Sequence, residues 1–149
     1  MIRTSIHIDE VTHEKCEPHL LDGINHLLPQ LSSHARLLTM DELTAIALNP
    51  YTQLFVALSH QMVMGMITLA VYPAPTGNRA WIEDLVVDSD CRGLHIGSLL
   101  LGHAIGHAKA MGACQLMLTS RPTRVVANEM YRKAGFLPKS TNVYVMNIE

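Results

Sequence analysis

The chain predicts an α/β (α+β) fold in the order β-α-α-β-β-β-α-β-α-β-β, with about seven strands and about four helices. Three observations carry this. Leu20, Leu21, Ile24, Leu27, Leu28 and Leu31 recur at helical spacing between Glu14 and Leu31. The runs Thr52 to Leu58, Met62 to Tyr72 and Arg79 to Val87 are apolar, rich in strand-forming residues and parted by short turns. The last of these runs straight into a helical pattern through an arginine and two glycines, in the stretch Trp81 to Ser98, WIEDLVVDSDCRGLHIGS.

Each element has its own local warrant. Ile2 to Ile8 alternates loosely and predicts a first strand. The helix from Glu14 to Leu31 meets Pro29, which ends or kinks a helix because it lacks an N-H and its ring crowds the preceding turn. Thr39-Met40-Asp41-Glu42 is a capping box and opens a short helix to Leu48, ahead of Asn49-Pro50. Ser59-His60-Gln61 turns the chain between two strands, and Gly65 within the second marks a bulge or a close neighbour. Pro73 to Asn78 is a loop of turn residues before the strand Arg79 to Val87. A helix follows from Gly93 to Met111, with Ile96, Leu100, Ala104, Ala108 and Met111 on one stripe, and Gly112 closes it. Gln115 to Thr119 then reads as a strand, Thr123 to Ala134 as a helix closed by Gly135, and Val143 to Ile148 as a final strand.

Bulk composition narrows the function. A length of 149 residues fits one domain, 1–149, large enough for a core that needs neither disulfides nor metal. The formal net charge of -2 supplies no basic field, which argues against nucleic acid as a partner. The longest apolar run is far short of a bilayer span of about 20 residues, and the N-terminal sequence lacks the apolar segment of a signal peptide. The expectation is therefore a cytoplasmic protein with no membrane partner. Only 16% of residues are charged, which is in keeping with a homodimer interface. Cys16, Cys91 and Cys114 are scattered and form no CxxC pair, and His103 and His107, one turn apart, have no third ligand in sequence, so no metal is expected.

The junction within Trp81 to Ser98 carries the chemistry. A helix N-terminus presents unpaired N-H groups and about half a positive charge, which suits a phosphate. Arg92 adds a permanent cation and Gly93 lets backbone approach a ligand without a Cβ in the way. Residues 93 to 100 lack the lysine of a P-loop, and Gly93 and Gly97 are wrongly spaced for the dinucleotide fingerprint. Kinase, ATPase and NAD enzyme readings fall away.

Arg92-Gly93-Leu94-His95-Ile96-Gly97 resembles the pyrophosphate motif [RQ]-x-x-G-x-[GA] of the GNAT superfamily of acetyl-CoA-dependent N-acetyltransferases, with His95 in place of the middle glycine. Arg124-x-x-Ala127 through Met130-Tyr131-Arg132-Lys133-Ala134-Gly135-Phe136 is similar to that family's closing helix signature, with Arg124 in place of its asparagine and Asn128 nearby. Ile82-Glu83-Asp84-Leu85-Val86-Val87 resembles the acceptor-side strand of glucosamine 6-phosphate N-acetyltransferases and of uncharacterised bacterial members.

The resemblance implies a mostly antiparallel mixed sheet of the GNAT acyltransferase fold, acetyl-CoA as cosubstrate and a small-molecule amine as acceptor. It implies that Leu85, Val86 and Val87 line the thioester, and that Arg92, Gly93, Leu94, His95, Ile96, Gly97 and Ser98 hold the pyrophosphate, with Asn128 near the pantetheine arm. Glu83 and Asp84 border the acceptor. Glu83 is the expected general base, its pKa expected to rise on an apolar strand, and Tyr131 the expected general acid. Cys91 borders the site without an activating histidine beside it, so direct transfer in a ternary complex is favoured over an acyl-cysteine. A non-catalytic acetyl-CoA sensor and a protein or peptide N-acetyltransferase are the alternatives.

Overall fold

The computed structural model describes residues 5–148. Its elements are β1 (His7–Glu10), α1 (Pro18–Leu31), α2 (Met40–Leu48), β2 (Thr52–Ser59), β3 (Met62–Ala74), β4 (Gly77–Val87), α3 (Ile96–Ala110), β5 (Gln115–Met117) and α4 (Val125–Lys133), with 3-10 turns at His13–Lys15 and Ser89–Cys91. The chain divides into two compact units, one ending at Thr119 and one beginning at Ser120. No helix among the described residues is long and apolar enough to cross a membrane.

The first unit is a five-stranded sheet in the order β1-β2-β3-β4-β5, antiparallel except for the parallel β4–β5 pair. Helices cover both faces, which explains why β2 reads as a continuous apolar run rather than an alternating one. Leu54 and Val56 of β2 join Val63, Met66 and Val86 in a core with Leu20, Ile24 and Leu27 of α1 and Leu43 of α2. Phe55, between them, points to the opposite face and sits edge-on to the imidazoles of His103 and His107 on α3, at centroid distances of 4.7 Å and 5.2 Å. The two histidines are thus packing groups at the margin of α3. Among the described residues no cluster of three or more His, Cys, Asp or Glu side chains is placed to hold a metal.

Local chemistry sets the connections. The capping box forms as predicted: the Glu42 N-H donates to Thr39 Oγ1 at 3.2 Å and the Thr39 N-H donates to Glu42 Oε1 at 3.2 Å. Arg36 also donates to both Glu42 oxygens, and this pairing, with the bonds from Thr39, holds the Glu42 carboxyl below the usual range. His60 and Gln61 both take positive φ, 48° and 67°, as the two central residues of a tight hairpin turn of the type whose twist matches the strands. Gly65 faces Ala57 while Val63 faces Leu58, so Met64 is an extra residue in β3 and the predicted bulge is there. Asn25 brackets the α1–α2 connection, accepting from the Leu38 N-H at 2.8 Å and donating to its carbonyl at 3.0 Å.

Several boundaries differ from the sequence expectation. The first strand is seen at His7–Glu10; residues 2 to 4 of the expected one lie outside the described residues. α1 begins at Pro18, where a proline is tolerated because the first N-H of a helix has no partner anyway. Pro29 does not stop it, since α1 continues through Leu31. Pro73 to Asn78 is a β-hairpin rather than an open loop, with Ala74 paired to Gly77. α3 begins at Ile96, not Gly93.

The sheet has five strands and not about seven, and Val143 to Ile148 forms none. A strand exists only as part of a ladder, and among the described residues this segment has no backbone partner; its apolar side chains are more than three-fifths exposed.

Gly23 on α1 lets the helix lie flat on β3: a Cβ there would meet Val63 Cγ2 at 2.5 Å. Gly102, on the exposed side of α3, has open space around it. Gly23→Ala is therefore expected to destabilise the protein by about 1–3 kcal/mol through overpacking, while Gly102→Ala stabilises it by about 0.5–1 kcal/mol through reduced chain entropy. Urea unfolding of the two variants checks this, and a stable Gly23→Ala would mean that α1 does not pack against Val63.

Candidate active site

The site is built where β4 becomes α3. On β4, Glu83 pairs with Thr68 while Val86 pairs with Met66, so Asp84 and Leu85 together oppose the single residue Ile67. The extra residue is absorbed by Asp84, whose φ is +51°. Such a bulge breaks the ladder locally and leaves backbone groups unpaired on the bulged strand. The segment Leu85 to Val87 follows at once, with Leu85 and Val86 buried and Val87 half-buried.

Beyond Val87 the chain makes a 3-10 turn capped by Asp88, whose Oδ1 accepts from the Asp90 N-H at 3.2 Å. Arg92 and Gly93 come next, both exposed, and Gly93 has φ +84° with nothing within 4 Å of a would-be Cβ. His95 takes the N-cap position of α3 at φ 59°, ψ 25°, the left-handed region. The first bond of α3 runs from the Leu99 N-H to the His95 carbonyl at 3.0 Å. The amides of Ile96, Gly97 and Ser98 precede it and have no acceptor among the described residues, at the head of a 15-residue helix.

These residues fit a pyrophosphate. Consecutive free amides, a helix dipole and an exposed guanidinium point to an anion, and the Gly93 backbone is open to it. The geometry also explains the motif's middle glycine. It is the residue that must turn left-handed, and histidine is among the few side chains that tolerate this conformation at moderate cost.

The acidic pair is placed differently from expectation. Glu83 and Asp84 are exposed rather than sunk among apolar neighbours: Glu83 keeps the outward side of the regular alternation after buried Ala80 and Ile82, and Asp84 is turned out by the bulge. The burial expected of Glu83 on an apolar strand is absent. Neither carboxylate is paired with a basic side chain among the described residues. Arg79 is engaged instead with Gln115 Oε1 at 2.7 Å and Thr76 Oγ1 at 2.8 Å. Cys91 is buried, and desolvation with the charges of Asp88 and Asp90 pushes its thiol pKa up, which suppresses the thiolate a covalent route would need.

The second unit, taken by itself, contains α4. Its C-terminus closes with the Phe136 N-H donating to the Tyr131 carbonyl at 3.0 Å and the Gly135 N-H to the Arg132 carbonyl at 3.0 Å, a Schellman motif with Gly135 at φ +106°. Phe136 then packs edge-on to Tyr131 at 6.1 Å. The Tyr-x-x-x-Gly-Phe pattern is thereby a helix stop that fixes one tyrosine. Tyr131 is buried, and desolvation raises its pKa above the usual phenol value, with the Arg124 charge opposing. Asn128 donates through Nδ2 to the Arg121 carbonyl at 2.9 Å, pinning the loop ahead of α4.

A family model described as Acetyltransferase (GNAT) family matches residues 21–136. The chain belongs to the GNAT acetyltransferase family. The family is one of acetyl-CoA-dependent N-acetyltransferases that act on amine acceptors, and the chain is an acyltransferase of that kind. No match is found among curated proteins. Solved structures resemble it along almost its whole length. A transcriptional regulator from Bacillus halodurans C-125 is 27% identical, with a TM-score of 0.81, over 97% of this chain and 100% of that one. An aminoglycoside acetyltransferase from an uncultured soil metagenomic sample, crystallised with trehalose, is 18% identical, with a TM-score of 0.83, over 97% and 96%. Glucosamine-6-phosphate N-acetyltransferase from Arabidopsis thaliana is 21% identical, with a TM-score of 0.78, over 95% and 98%. At the last two identities the likeness establishes the GNAT fold alone.

Within the GNAT fold, the residue that sequence reasoning missed is Asp88. An aspartate just after an apolar strand and before Ser89-Asp90 is a capping signal, and it could have been read as one.

His95 supplies a direct test of the junction. His95→Gly is expected to hold or raise stability by up to about 1 kcal/mol, whereas His95→Val, β-branched and ill-suited to positive φ, loses about 1–2 kcal/mol. Thermal unfolding distinguishes them; equal stability of His95→Val and wild type would remove the left-handed turn from the site.

Proposed function

We propose that the chain, acting as one domain over 1–149, moves the acetyl group of acetyl-CoA to a primary amine of a small metabolite by direct transfer in a ternary complex. The observation that carries this is the two-for-one bulge at Asp84–Leu85 leading into the free amides at the start of α3. One strand break offers backbone donors for an acyl oxygen, and the helix head a few residues later offers donors for a phosphate.

In this reading Arg92 with the backbone of Gly93, Leu94, His95, Ile96, Gly97 and Ser98 holds the pyrophosphate. Leu85, Val86 and Val87 lie along the thioester and pantetheine. Asn128 keeps its carbonyl oxygen and one N-H for the same arm. Acetyl-CoA supplies an acyl carbon activated as a thioester, with a thiol as leaving group. Glu83 and Asp84, exposed and unpaired, attract the acceptor ammonium, and Glu83 takes its proton directly or through one water so that the amine lone pair is free. The backbone beside the bulge stabilises the charge gathered on the acyl oxygen. Tyr131 gives a proton to the departing sulfur; the nitrogen loses its second proton to solvent as the amide forms, solvent restores Tyr131, and Glu83 releases the first proton, so the protons balance.

The raised Tyr131 pKa keeps the phenol protonated and also makes it a weaker donor, so the role rests on the tyrosine's place in the family signature. An acid must carry its proton, and a raised pKa keeps the phenol protonated to higher pH, so the contribution of Tyr131 persists beyond its ordinary value of about 10. The depressed thiolate population at Cys91 supports direct transfer over an acyl-cysteine. A small amine agrees with the acceptors named for two of the similar structures, an aminoglycoside and an amino sugar phosphate.

Free-thiol release from acetyl-CoA across a panel of small amines and peptide N-termini tests the function. Turnover on small amines is expected; turnover confined to peptides would give the chain a protein substrate, and tight acetyl-CoA binding without turnover would make it a sensor. Tyr131→Phe is expected to lower kcat at least tenfold, the lower part of the usual general-acid contribution of about 10²–10⁴, with acetyl-CoA affinity nearly unchanged. Glu83→Gln should shift the acidic limb of the pH–rate profile, and a limb that stays in place would assign the base elsewhere.

A further inference from the structure

The turn that aims the phosphate seat is held from the other side of the sheet by α1. Gln30 lies near the end of that helix and makes three bonds with its carboxamide. Its Oε1 accepts from the Ser89 N-H at 2.9 Å, and its Nε2 donates to Asp88 Oδ1 at 3.4 Å and to the His26 carbonyl at 3.3 Å. The amide orientation is forced: Ser89 offers only a donor here, and Asp88 and the His26 carbonyl only acceptors. His26 Nε2 stands 3.3 Å from Asp88 Oδ2 and completes the bracket. Asp88 is buried, its N-H donates to the Met64 carbonyl at 2.8 Å and its carbonyl accepts from the Cys91 N-H at 2.8 Å. Every polar atom of Asp88 is therefore tied to β3, to α1 or to the turn itself.

We propose that Gln30 is a positioning residue for acetyl-CoA: by clamping Asp88 and Ser89 it fixes the exit of the 3-10 turn, and hence the direction of Arg92 and of the amides at the start of α3. It touches neither the phosphate nor the reacting atoms. The clamp also turns the Asp88 carboxylate into bonds with α1, so that a negative charge close in sequence to the seat is neutralised by donors and not left facing an anion. The inference rests on the reading of residues 92 to 98 as the pyrophosphate seat.

The test compares equilibrium binding of acetyl-CoA with that of S-acetylpantetheine, which has the thioester and lacks the pyrophosphate. Gln30→Leu, at a half-buried position where folding is not at stake, is expected to weaken acetyl-CoA about five- to tenfold, the effect of one or two lost hydrogen bonds. S-acetylpantetheine binding and kcat at saturating acetyl-CoA should stay as in wild type. Gln30→Glu keeps an oxygen for the Ser89 N-H but sets a carboxylate against Asp88, and it should lose more than Gln30→Leu with the same selectivity. Equal weakening of both ligands would reduce Gln30 to a structural residue, and unchanged acetyl-CoA binding in both variants would overturn the inference while leaving the seat intact. A wild-type protein that binds the two ligands equally well would instead remove the seat, and the inference with it.

Discussion

A Cβ on Gly65 would sit 2.9 Å from the carbonyl oxygen of Val86, 3.1 Å from Leu100 Cδ1 and 3.3 Å from Ile96 Cγ2. That missing methyl group is the constraint on which the candidate site depends. It lets β3 press against the last residues of β4 and lets the first turn of α3 come down on both strands. A backbone carbonyl cannot move aside as a side-chain tip can, so the contact fixes Val86 relative to Ile96. The end of β4 and the first turn of α3 are thereby set against each other by packing, to which the hydrogen bonds around Asp88 are added.

Around this contact the backbone departs from regular geometry in a short span. Asp84 and His95, non-glycine residues with positive φ, bracket the stretch that leads from the β4 bulge to the head of α3. Each conformation costs of order 1 kcal/mol or more and persists only because its surroundings hold it. For Asp84 the holder is the ladder with β3 on both sides of the bulge. For His95 it is the helix that begins at once and the turn capped by Asp88. Strain and unpaired amides occur together because a strand that kept perfect pairing would have no donors left to offer.

Much of the fold was legible because hydrophobic periodicity and turn chemistry are local. The Thr39 capping box, the His60-Gln61 hairpin and the Gly135 stop each depend on residues within about four positions of one another. Gly65 was readable as a close neighbour, though not whose neighbour it was. The strand-to-helix junction at residues 92 to 98 was legible for the same reason, and so was the helix stop that follows Tyr131. The exposure of Glu83 and Asp84 side by side was not, since it takes an inserted residue to turn Asp84 outward beside a Glu83 that already alternates out, and the insertion is not written in the run. Gln30 was invisible because its partners are 58 and 59 positions away in sequence. The predicted strand from Val143 to Ile148 shows the reverse limit: an apolar alternating run is necessary for a strand, but the ladder partner that makes it one is not written in the run.

Burial acts on two candidate reactive groups in the same direction and with opposite chemical result. Desolvation disfavours the charged form of both Cys91 and Tyr131, so each holds its proton more firmly than in water. For a nucleophile this is a defect, because only the thiolate attacks, and the carboxylates of Asp88 and Asp90 deepen it. For a phenol it favours the protonated form while making that form a weaker proton donor. Desolvation, acting on each group within its own surroundings, thus disfavours an acyl-cysteine at Cys91 and keeps Tyr131 protonated.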